Sequence, residues 1–132
     1  MKQITRDWLE SASLDIESIK YLLQNERLAS PVAFHAQQAI EKSLKALIEE
    51  YGDRVPKVHS LSKLFEICSI YIDLQFDDDL VIALDSLYIE SRYPGDFGLL
   101  PEGKPSIKQV QLFNDFAQRV YEIVKLRLEN GI

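Results

Sequence analysis

Three short segments of this chain carry the residues best able to do chemistry. The first is Gln37-Gln38-Ala39-Ile40-Glu41-Lys42-Ser43-Leu44-Lys45-Ala46, which holds two amides, a carboxylate and two ammonium groups. The second is Val58-His59-Ser60-Leu61, and the third is Ser91-Arg92-Tyr93-Pro94. A lysine offers a mobile point charge, and an arginine offers a two-pronged fork for phosphate or carboxylate. A histidine gives or takes a proton near neutrality. Lys42, Lys45, His59 and Arg92 are therefore the candidate set for binding an anion such as a phosphate, or a partner.

Each of these residues also has a plainer reading. Glu41 precedes Lys45 by four positions, the favourable order for a helix surface pair contributing about 0.2–0.5 kcal/mol. On that reading Gln38, Glu41, Lys42, Lys45 and Glu49 form a solvated face opposite an apolar one. His59, near Arg54, Lys57 and Lys63, can donate to a carbonyl and lock its loop. Arg92 follows Tyr88 by four residues and can cap helix carbonyls.

Arg54 and His59 form an Arg-x4-His pair, but Pro56 interrupts any helix that would put them on one face. Asp77, Asp78 and Asp79 suit a helix N-terminus, where the dipole favours acids, so they need no metal. His35 and His59 lack the H-E-x-x-H spacing or cysteine partners of a zinc site. No Gly-rich phosphate loop, G-x-S-x-G motif or dinucleotide fingerprint is present, so neither a metal nor a cofactor is expected. The lone cysteine, Cys68, excludes an internal disulfide and falls on an apolar stripe, which reads as core.

The elements that must position these groups read as helices. The chain has 132 residues, 46% of them hydrophobic and 27% charged, which suits one domain over 1–132 with a sizeable core. Three of its five glycines and three of its five prolines lie between Arg92 and Pro105. Elsewhere breakers are scarce, which predicts long helices and one loop that is a lid, a partner-binding loop or merely a mobile connection. Ile4, Trp8, Ala12, Ile16, Ile19 and Leu23 predict a first helix from about Thr5 to Asn25.

Ser30 and Pro31 predict the start of a second helix, with Ala33, Ala36, Ile40, Leu44, Leu47 and Tyr51 inward and Gly52 ending it in a left-handed conformation. Ser60 predicts the cap of a third helix with Leu61, Leu64, Phe65 and Cys68 inward. A fourth helix starts near Asp77 to Asp79 and carries Leu80, Leu84 and Leu87. Ser106 and Gln109 form a candidate capping box for a fifth, which runs through Val110, Phe113, Ala117, Val120 and Val124 to about Glu129. Tyr71–Phe76 alternates too briefly for a strand and reads as a connector. The fold class is all-α, an antiparallel up-and-down bundle of about five helices.

Net charge is -6. A chain without a basic surplus does not wrap RNA or DNA regardless of sequence, whereas an acidic surface suits a basic protein partner. No signal-like segment and no membrane-length apolar run occurs, which makes a cytoplasmic location the expectation.

In order and spacing, the Gln37–Ala46 helix, His59-Ser60-Leu61-Ser62-Lys63-Leu64 and Tyr88 through Asp96 resemble the HEPN domain family, the higher eukaryote and prokaryote nucleotide-binding domain. They resemble in particular its small prokaryotic type, and the likeness spans nearly the whole chain. It implies a homodimer, a nucleotide ligand or a minimal nucleotidyltransferase partner, and a role in a toxin–antitoxin-like system. In other branches of the family the domain is a metal-independent endoribonuclease that uses a late Arg-x4-6-His motif.

Arg92 matches that late arginine. However, Phe97, Gly98 and Leu99 stand where the histidine belongs, and no histidine follows His59. Acid–base cleavage needs a group that titrates near neutrality, so the expectation leans toward a non-catalytic binding module. An RNA-cleaving toxin and a purely structural helical adaptor are the alternatives.

Overall fold

The structure, a computed structural model, describes residues 1–90 and 105–131. Among these, five helices form an antiparallel bundle: α1 (Gln3–Leu22), α2 (Ala29–Tyr51), α3 (Leu61–Cys68), α4 (Asp78–Glu90) and α5 (Ile107–Asn130). A single 3₁₀ turn, Glu26–Leu28, joins α1 to α2. Among the described residues there is no strand, and residues 71–76 form a connector between α3 and α4. No described helix is long and apolar enough to cross a membrane.

α2 packs against every other helix of the bundle, and α1 and α5 also touch each other. A helix enclosed in this way has little solvent-facing surface. Accordingly Ala33, Ala36, Ile40, Leu44 and Leu47 are buried as the spacing predicted, and so are Gln37, Glu41, Ser43 and Lys45. The expected solvated face is therefore overturned at its centre, because the neighbouring elements cover Glu41 and Lys45 as well as the apolar stripe.

Further corrections concern helix details. The buried stripe of α1 is Thr5, Leu9, Ala12, Asp15 and Ile19, rotated from the predicted one, while Ile4 is exposed. α2 begins at Ala29 with Leu28 at its N-cap, so Ser30 lies inside the first turn and does not cap it. Gly52 closes α2 with extended backbone, at φ -96° and ψ -178°. Glycine is needed there for space, since a Cβ would stand 2.9 Å from the Ile48 carbonyl oxygen and 3.3 Å from the Tyr71 hydroxyl.

The remaining start signals act as the sequence indicated. Ser60 Oγ accepts from the Lys63 amide at 3.3 Å. Asp85 of α4 reaches the same helix start, accepting from the amides of Leu61 at 2.8 Å and Ser62 at 3.3 Å. Ser106 and Gln109 form both bonds of a capping box. Leu61, Leu64, Phe65 and Cys68 are buried, as are Leu84, Leu87 and the Val110, Phe113, Ala117, Val120, Val124 seam of α5. Asp77 Oδ1 accepts from the Asp79 amide at 2.9 Å, so this acid organises the start of α4.

Candidate functional site

The centre of α2 carries a polar strip that its neighbours cover. At its middle, Glu41 Oε2 accepts from Lys45 Nζ at 3.0 Å, and Glu41 Oε1 accepts from Gln37 Nε2 at 3.2 Å. His59 Nδ1 lies 3.1 Å from Glu41 Oε2. A carboxylate only accepts, so Nδ1 carries the proton, and the second ring nitrogen, Nε2, makes no hydrogen bond among the described residues. The Glu41 and Lys45 side chains are each 6% exposed, whereas His59 is 52% exposed. Gln37 Nε2 also donates to the His59 carbonyl at 2.8 Å, which fixes the backbone that presents the imidazole.

A second cluster lies beside the first. Asp15 of α1 stands 2.8 Å from His35 Nδ1 and accepts from Lys42 Nζ at 2.8 Å. Aromatic rings bridge the two clusters. Phe34 meets His35 edge-on at 5.6 Å and stacks on Tyr88 at 5.8 Å, and Tyr88 in turn lies 5.4 Å from the His59 ring. Each histidine thus presents Nδ1 to a buried carboxylate, and a short aromatic run from α2 and α4 joins them.

Next to His59 is a hollow of about 480 Å³ lined by Ile4, Trp8, Lys45, Glu49, Val55, Pro56, Lys57 and His59. Its size falls in the range of small-molecule sites, which are mainly apolar with a few polar groups. Lys45 Nζ sits 5.8 Å from the centre of the Trp8 ring. The buried indole N–H of Trp8 has no hydrogen-bond partner among the described residues, a rare state for a buried donor. Lys57 is exposed and makes no ion pair among the described residues.

The four candidate cations are therefore only partly gathered. Lys45 and His59 share both Glu41 and the hollow. Lys42 belongs to the Asp15 cluster, and Arg92 lies outside the described residues, as does the 92–104 segment for which the sequence predicts a loop. Arg54 is exposed, and no hydrogen bond or ring contact among the described residues links it to His59. Among the described residues no group of three or more His, Cys, Asp or Glu is placed to hold a metal ion. Cys68 is buried and its Sγ donates to the Leu44 carbonyl at 3.4 Å; burial pushes its thiol up to about 12, so it is no nucleophile near neutrality.

Sequence reasoning missed Asp15, the buried bridging role of Gln37 and the part that Trp8 and Lys57 play in the hollow. Asp15 had a signal, since it stands three residues after Ala12 and four before Ile19 on the buried stripe. A carboxylate in that register needs a buried counter-charge.

Comparison with known proteins adds three findings. A family model described as the HEPN domain matches residues 5–127. The crystal structure of TT1696 from Thermus thermophilus is similar, with a TM-score of 0.70 and 29% sequence identity, over 96% of this chain and 99% of that one. No curated protein matches.

Proposed function

The chain belongs to the HEPN domain family, and from that premise we propose that it is a dimeric binding module that takes a nucleotide in the hollow beside His59. The hollow itself is the observation that carries this reading. Lys45 is neutralised by Glu41, and the same carboxylate aims His59. The anion-seeking groups left open are then the His59 Nε2 edge and the unpaired Lys57 ammonium. Both residues line the hollow and are the groups this reading assigns to a phosphate, and the indole of Trp8 with Val55 and Pro56 offers an apolar wall for a base. Arg92 is a further candidate for the phosphate. Lys42 supports the site indirectly, by holding Asp15 and thereby the α1–α2 pairing.

Such a module suits a toxin–antitoxin-like system in the cytoplasm, with a minimal nucleotidyltransferase as the partner that supplies or modifies the nucleotide. Titration calorimetry with ATP tests the ligand reading. Binding is expected, with a marked loss in His59→Ala, Lys57→Ala and Arg92→Ala; binding that is unchanged in all three removes the hollow as the site. A stable nucleotidyltransferase complex with no nucleotide binding would instead support the structural adaptor.

One observation favours a second reading, a metal-independent endoribonuclease. His59 is half exposed with Nδ1 held by a buried carboxylate, an arrangement competent for proton transfer. Cleavage of total RNA by the purified protein, abolished by His59→Ala, is the result this reading requires.

A further inference from the structure

A second cavity lies on a different part of the bundle, between α3, the 71–76 connector and the start of α4. Its volume is about 520 Å³. Phe65 and Phe76 supply an aromatic floor, stacked at 4.4 Å. Ile82 stands at its edge, 57% exposed. An apolar concavity with an isoleucine at its lip is suited to receive a bulky aliphatic or aromatic side chain.

The charged residues lining this cavity are Glu66, Asp73 and Asp78, and no lysine, arginine or histidine lines it among the described residues. The first-turn position of Asp78 accounts for that residue through the α4 dipole. Glu66 and Asp73 are not explained in this way. Neither makes a side-chain hydrogen bond or ion pair among the described residues, so both carboxylates are open to an incoming charge. A second copy of a chain with net charge -6 is a poor match for an acidic rim, because like charges oppose its approach.

We propose that this groove docks a cationic amphipathic segment of another protein, in which one large apolar side chain seats on the Phe65–Phe76 floor beside Ile82 and flanking lysines or arginines meet Glu66, Asp73 and Asp78. The apolar side chain supplies most of the affinity, and the rim charges set sign preference and salt dependence. This docking is independent of the hollow beside His59, which shares none of its lining residues.

The test is fluorescence anisotropy of the full chain with two fluorescein-labelled peptides of equal length, one alternating leucine with lysine and the other leucine with glutamate. The lysine peptide should bind and the glutamate peptide should not. Glu66→Gln/Asp73→Asn/Asp78→Asn should weaken binding about tenfold, as three rim pairs would. Ile82→Asp, at an exposed position that the fold does not need, should abolish apolar seating and weaken binding at least as much.

A charge-matched control, Glu10→Gln/Glu122→Gln/Glu129→Gln on α1 and α5, should leave binding within about twofold, the small effect of distant screened charges. Equal binding of both peptides would overturn the proposal. So would an equal loss in the control, or binding indifferent to Ile82→Asp.

Discussion

Glu41 holds three donors in a place from which water is largely excluded, and this sets the energetics of its neighbours. A buried ion pair is weak support for stability as a whole, but removing one member strands the other. Glu41→Gln therefore leaves the Lys45 ammonium, 6% exposed, without its counter-charge. The expected cost is about 3–5 kcal/mol in urea denaturation, and Glu41→Leu/Lys45→Met should recover most of it. Read as a solvated pair, the same residues predict a loss below about 0.5 kcal/mol. The spacing of Glu41 and Lys45 is the same in both cases, so the sequence alone could not distinguish them. Burial depends on α1 and the His59 loop closing over α2, and no local pattern reports that. His59 was legible as a candidate because a histidine beside a helix start is chemically conspicuous. Its carboxylate partner lies 18 positions earlier and was not.

At the scale of the elements, two contacts fix how helices meet. Asp85 ties α4 to the start of α3 through two backbone amides. Asp85→Ala should cost about 1–2 kcal/mol, as loss of a strong cap does, with thermal unfolding as the measurement. Ser60 advertised that helix start in the sequence, while the second cap comes from a residue on another helix and could not be foreseen. At the opposite end, Glu50 on α2 accepts from the Lys2 amide at 2.9 Å and from Thr5 Oγ1 at 2.9 Å, which joins α1 to α2. The Lys2 hydrogen bond, aided by Thr5, lowers the Glu50 carboxyl below its ordinary value of 4.5. A lowered carboxyl stabilises the folded state above its unfolded value and loses that contribution as pH falls through the folded one. Glu50→Gln should therefore be less stable than the parent near neutrality. The gap should close as pH drops below about 4.5, in paired denaturation curves across pH.

For the molecule as a whole, the described helices enclose one continuous core, and Cys68 reports on its integrity. With the thiol raised to about 12 from an ordinary value of 9.0, the folded state keeps its proton where the unfolded state loses it. Stability should fall as pH rises from about 9 to about 12, and less so in Cys68→Ala. Iodoacetamide at mildly alkaline pH should label Cys68 only as fast as the bundle opens.

The helical stripes of α3 and α5 were readable because their apolar residues face one way only. α2, covered on all sides, mixes polar and apolar burial, and this is where the sequence misled. The hollow beside His59 combines α1, α2 and the 55–59 loop, an assembly that no single segment encodes. Trp8 is the only tryptophan and lines that hollow, so its fluorescence reads the site directly. Titrating the parent with ATP should change Trp8 emission saturably, and His59→Ala/Lys57→Ala should show no change while remaining folded by circular dichroism. Emission that ATP leaves untouched in the parent, or shifts equally in the double variant, would contradict nucleotide binding at this hollow.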